Sequence, residues 1–109
     1  LEMCQASGVG ARIDMERLPS LTNSDKYTQQ GIFPGGAHDN RLYYNPQVMF
    51  APGISDLKQM QLFDPQTSGG LLLGVPAAKR EAFESRAAAL AQPVWRIGEV
   101  VEGSGITVF

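Results

Sequence analysis

Two short stretches hold the residues best suited to chemistry. The first is Thr67-Ser68-Gly69-Gly70, set between Asp64-Pro65-Gln66 and the run Leu71-Leu72-Leu73. Glycines let a backbone approach a ligand closely and adopt positive φ. Consecutive N–H groups in such a turn can form a nest for phosphate, and the Thr67 and Ser68 hydroxyls add two donors. The plain alternative is a tight turn that feeds a buried strand. The second stretch is Pro34-Gly35-Gly36-Ala37-His38-Asp39-Asn40. Gly35 and Gly36 again expose backbone, and Asn40 can hold either a ligand or a loop.

The other reactive residue types stand alone. His38 is the one histidine of the chain. With no cysteine or second histidine nearby it makes no metal set, and a structural or solvent-exposed His38 is expected. Asp39 and Asp64 are isolated carboxylates; Asp64, before Pro65, is expected to close the turn. Cys4 is expected to lie on an apolar helix face as a small buried hydrophobe. One cysteine cannot form an internal disulfide, which fits a cytoplasmic location. Neither G-x-x-x-x-G-K-[ST], nor G-x-G-x-x-G, nor H-E-x-x-H occurs, and no Ser-His-Asp order is present. Tyr43, Tyr44 and Trp95 suit a core or an interface. The net charge is −2 and the nine Lys and Arg residues are scattered, which argues against nucleic acid as a partner. The apolar runs fall far short of the ~20 residues of a membrane-spanning helix.

These stretches need a frame. A chain of 109 residues is enough for one small domain with its own core. Its 43% hydrophobic and 18% charged content places it among globular rather than disordered chains. Leu1 to Ser7 reads like the end of a helix already under way, stopped by Gly8 and Gly10. That start suggests a piece of a longer protein. Alternation of Val9, Ala11, Ile13 and Met15 predicts a strand. A short helix is predicted from Asn23 or Ser24 to Gly31. Another is predicted after Pro34-Gly35-Gly36, with Asp39 in its first turn. The stretch around Pro46 and Pro52 reads as irregular. Ser55 is a plausible N-cap for a helix carrying Leu57, Met60, Gln61 and Phe63. Leu71-Leu72-Leu73-Gly74-Val75 predicts a short central strand covered on at least one face. The best helix spans residues 77–92, with Ala82, Phe83, Ala87, Leu90 and Ala91 as its apolar stripe. Two closing strands are predicted around Gly103-Ser104-Gly105 as a hairpin turn. The sum is an α+β fold, a small mixed or antiparallel sheet with helices packed on one face.

The string LFDPQTSGGLLLGVP resembles the signature of the C-terminal domain of the selenophosphate synthetase (selenide, water dikinase) family. Other segments agree in the same order. MCQASGVGARIDMERLP resembles the helix and strand that open that domain. GIFPGGAHDN resembles its glycine pair followed by Asn, and RIGEVVEGSGITV its closing strands. The similarity spans essentially the whole chain, and D-P-Q-T-S-G-G is its most specific part.

The resemblance implies an enzyme that makes selenophosphate, AMP and phosphate from ATP, selenide and water. Selenophosphate then supplies selenium for selenocysteine and for modified tRNA bases. The family implies Mg²⁺, homodimers, and kinship with aminoimidazole ribonucleotide synthetase and thiamine monophosphate kinase. Its N-terminal domain binds ATP through aspartate-held Mg²⁺ and carries the catalytic Cys or selenocysteine and Lys. None of those motifs matches this sequence, so no catalytic or metal residue is carried over, and Cys4 is not the nucleophile. Residues 1–109 are therefore expected to be the single C-terminal domain of a longer enzyme, without its ATP-binding domain. This domain would wall the active-site cleft. Thr67, Ser68, Gly69 and Gly70, with Gly35, Gly36 and Asn40, are the candidates for meeting phosphate. The expected partners are the enzyme's own N-terminal domain, a dimer mate, ATP and selenide. No cofactor is expected on this chain alone. The alternatives are a non-catalytic ligand-binding or interaction module of the same fold, and the C-terminal domain of a related kinase or synthetase.

Overall fold

In the computed structural model, which describes residues 1–109, helix α1 (Glu2–Ser7) stops at Gly8 with φ 63°. That left-handed conformation is the one a Cβ disfavours. The chain turns at once into strand β1 (Gly10–Ile13). β1 ends before the alternation does. Asp14 instead caps a three-residue 3-10 turn, its carboxylate accepting from the Glu16 amide at 3.0 Å. Helix α2 (Ser24–Gln29) follows Asn23, whose side chain makes no cap bond. Helix α3 (Gly35–Tyr44) begins on the glycine pair itself, so Asp39 lies beyond its first turn rather than in it. Helix α4 (Asp56–Gln61) starts as predicted, with Ser55 Oγ accepting from the Lys58 amide at 3.3 Å.

Strand β2 (Val48–Phe50) occupies the stretch read as irregular. Three residues between prolines are too few to show a period. Helix α5 (Arg80–Ala89) and strands β3 (Gly98–Val101) and β4 (Ile106–Val108) close the chain. The sheet order is β2-β4-β1-β3. β1 is antiparallel to β3 and parallel to β4, and β2 is parallel to β4. The fold is thus α+β with a mixed sheet. β3 and β4 form no hairpin. They lie on opposite sides of β1, and Gly103-Ser104-Gly105 carries the chain across its end. Turn chemistry marks where a chain bends but not which strand it then joins.

The register explains the core. Ala11 pairs with Ile106, which pairs with Val48; Ile13 pairs with Val108, which pairs with Phe50. Laterally paired residues share a face, so these six side chains make one apolar patch. The Phe50 ring meets Phe63 edge-on with centroids 6.1 Å apart. Met60, Phe63, Ala37 and Val108 are buried. The opposite face carries Arg12, Glu99, Thr107 and Met49. Arg12 pairs with Glu99 at 3.3 Å, and its guanidinium lies 4.8 Å from the Phe109 ring centroid.

Leu71-Leu72-Leu73 is not a strand. These leucines are exposed, Leu71 at 90%, and no backbone group from Thr67 to Val75 bonds to another backbone group. An apolar run states a preference for burial, whereas a strand needs a neighbour's ladder. The four-stranded sheet closes without this segment. On α5, Phe83 is half-buried and Ala87 buried, while Ala82 of the predicted stripe stays exposed, as do Leu90 and Ala91 just beyond the helix. Cys4 is half-buried on α1. No helix is long and apolar enough to cross a membrane.

Two polar links tie the helices together. Gln61 Nε2 donates to Thr28 Oγ1 at 2.6 Å, and Thr28 donates to the Ser24 carbonyl at 3.1 Å. Arg41 of α3 grips both carboxylate oxygens of Asp56 on α4, Nη1 to Oδ2 at 2.9 Å. That hydrogen bond, with the guanidinium charge, holds the Asp56 carboxyl below its ordinary 3.8. A lowered carboxyl pKa stabilises the fold above the ordinary value, and that stabilisation is lost as pH falls through the lowered one. Asp56→Asn is therefore expected to lower the melting temperature slightly at pH 7, because exposed ion pairs contribute little, and the gap to wild type should close in acid. Only the part of the melting-temperature curve below pH 3.8 should flatten, as read by circular dichroism melts from pH 7 to pH 2.

Candidate functional site

The two chemistry-bearing stretches meet at the start of α3. Gly36 lies on the first turn of this helix. A Cβ built on it would stand 3.1 Å from Pro65 Cγ, so a bare glycine is what lets the Asp64-Pro65 segment lie against the helix. One turn later, Asn40 Nδ2 donates to the Phe63 carbonyl at 2.9 Å. Gly36 and Asn40 thus share a face at helical spacing and take hold of the chain just before the Thr67–Gly70 turn.

The turn itself points outward. Residues 65–70 are all exposed, whereas Asp64 is half-buried. The Gln66 amide donates to the Asp64 carbonyl at 2.9 Å, closing a small loop around Pro65. Beyond it the amides of Thr67, Ser68, Gly69 and Gly70 have no backbone acceptor. A Cβ on Gly69 would meet nothing closer than the Gln66 side chain at 3.8 Å, and one on Gly70 would meet nothing within 4 Å. The space where a side chain would stand is open at both glycines. The positive φ expected of these glycines is absent: the left-handed glycines are Gly8, Gly31, Gly53, Gly103 and Gly105. The turn at Thr67-Ser68 therefore presents exposed residues without the alternating right- and left-handed backbone of an anion nest.

Gly35 is exposed at the first position of α3. Its amide and that of Gly36 are among the first-turn donors that an α-helix leaves without an intrahelical acceptor. Asn40 already spends a side-chain N–H on Phe63, so its place is that of a loop anchor. His38 and Asp39 are exposed on the outer side of the same helix. A shallow, open depression lies elsewhere, beside Asp39, Asn40, Leu42, Tyr43 and Tyr44. There the Tyr43 and Tyr44 rings stand edge-to-face at 4.8 Å. The Tyr44 hydroxyl donates to Glu2 at 3.4 Å. The nearby Glu2 charge raises its pKa. This depression touches the candidate turn only through Asn40.

The sequence placed Phe63 on a helix and Pro65 in a turn, with no part in the site for either. The available signal was the spacing of Gly36 and Asn40, which puts a bare position and a donor on one helix face. Nothing local says which distant segment would fill that face.

Comparison with known proteins bears on the whole chain. A family described as AIR synthase related protein, C-terminal domain, matches residues 1–109. The chain is 43% identical over 108 residues to a selenide, water dikinase of Colwellia psychrerythraea, covering 99% of this chain and 30% of that protein. It is 39% identical over 105 residues to the selenide, water dikinase of Escherichia coli K12, covering 95% and 29%. With that of Nitratidesulfovibrio vulgaris it shares 37% identity over 102 residues, covering 94% and 29%. The chain thus spans less than a third of the length of these relatives.

Proposed function

Because the chain belongs to the family of AIR synthase related protein C-terminal domains, we propose that it is the C-terminal domain of a selenophosphate synthetase. The whole enzyme would convert ATP, selenide and water into selenophosphate, AMP and phosphate. The observation that carries this reading is the extent of the similarity to selenide, water dikinases, 43% identity over 99% of the chain. The proposal places the protein in the cytoplasm, as a homodimer, with residues 1–109 packed beside an N-terminal domain that holds ATP.

The chain's own donors bear on magnesium. No group of three His, Cys, Asp or Glu side chains stands together, so these residues do not fit a Mg²⁺ site. The metal and the nucleotide are assigned to the rest of the enzyme. The chain contributes uncharged donors. Thr67, Ser68, Gly69 and Gly70 would present amides and two hydroxyls to a phosphate oxygen at the wall of the cleft, with the Gly35 and Gly36 amides close behind. Donors brought to developing negative charge lower the barrier to phosphoryl transfer.

The test is the reaction itself. The whole protein, given ATP and selenide, is expected to release AMP and selenophosphate, followed by phosphorus NMR. The 109-residue chain alone should release no AMP. A whole protein that binds no nucleotide and yields no AMP would instead favour a non-catalytic module.

A further inference from the structure

The geometry points to Asn40 as a positioning residue: its side-chain amide clamps the Phe63 carbonyl and, with Gly36, sets where the Asp64–Gly70 turn leaves the core. This rests on the reading of that turn as a phosphate-contacting wall. Phe63 directly follows the last turn of α4, where helix carbonyls run out of partners. The Asn40 donor supplies one at 2.9 Å. A carbonyl only accepts, so the position needs an amide rather than a carboxylate. Phe63 is held on its other sides as well. Its amide donates to the Met60 carbonyl at 3.1 Å, and its ring, 6% exposed, packs on Phe50. Two residues on, Pro65 rests in the space that Gly36 leaves bare.

After that anchor only a local turn at Thr67-Ser68 shapes the backbone. Between the Gln66 amide and the Pro76 carbonyl, which accepts from Lys79, no backbone–backbone hydrogen bond restrains the chain. The direction of the Thr67–Gly70 amides is therefore set upstream, at residues 63–65, by two positions of α3. Asn40 touches no substrate in this scheme; it acts through Phe63.

The experiment combines Asn40→Asp with Gly69→Val in the whole enzyme and nitrogen-15 relaxation on the 109-residue chain. Asn40→Asp keeps the size but turns a donor into an acceptor facing a carbonyl. It is expected to lower kcat about tenfold, the worth of one partly buried hydrogen bond, and to leave the KM for ATP unchanged. The double variant should be no slower than Gly69→Val alone, because both act through one turn. Order parameters of Thr67–Gly70 should fall while those of α3 hold. Asn40→Ala serves the same measurements if the carboxylate prevents folding. Multiplicative losses in the double variant, or unchanged order parameters at residues 67–70, would overturn the clamp. Wild-type turnover in Gly69→Val would sink the phosphate reading instead, and the relaxation data alone would then judge Asn40.

Discussion

Gly69→Val in the whole enzyme is expected to lower turnover about a hundredfold, the order found when one preorganised donor to a developing charge is lost. The domain should still fold. Gly69 has no positive φ, so a branched residue can adopt its backbone conformation. A Cβ there would meet only the Gln66 side chain, at an ordinary 3.8 Å. The position is exposed, and its amide bonds to no backbone group. The variant therefore changes little within the domain. What it fills is the space through which a phosphate oxygen would reach the amide. AMP release and the melting temperature, measured together, separate the two effects. Turnover within twofold of wild type, at an unchanged melting temperature, would reduce the turn to a connection.

The contrast between what the sequence predicted and what it missed follows the range of the forces. Gly8 and Ser55 announce helix ends because the groups they satisfy lie within one turn of them. The α+β class was legible for a similar reason, with the sheet left as mixed or antiparallel: short alternating strands between helical stretches leave few architectures. Non-local pairing was not legible. Leu71-Leu72-Leu73 looked like a central strand, yet nothing in three leucines identifies a partner. Gly103-Ser104-Gly105 looked like a hairpin, yet β1 lies between the strands it joins. At the candidate site, small residues suggested accessible backbone at Thr67–Gly70, and these residues are exposed. The anchoring through Gly36 and Asn40 depends on Pro65 and Phe63, more than twenty residues away, and only the fold could show it. The string D-P-Q-T-S-G-G carried its family by similarity, and physical chemistry alone would have left it as a turn.

Phe63→Ala should be the most damaging single truncation, with a loss of about 3–5 kcal/mol. Small domains are stable by about 5–15 kcal/mol in total, so much of the folded population would be at risk. Only seven of the 109 residues are buried, leaving few neighbours able to collapse into the cavity. Phe63 is one of the two largest side chains among them, and its ring joins α4 to the edge strand through Phe50. Urea unfolding should show a lower midpoint at an unchanged slope. Leu72→Ala is the matched control: at 62% exposure the same kind of truncation should stay within about 0.5 kcal/mol. A loss below about 1 kcal/mol at Phe63 would mean that the apolar centre lies elsewhere. It would also undo the account of the turn, because the carbonyl that Asn40 clamps is rigid only while the Phe63 ring keeps its place in the core.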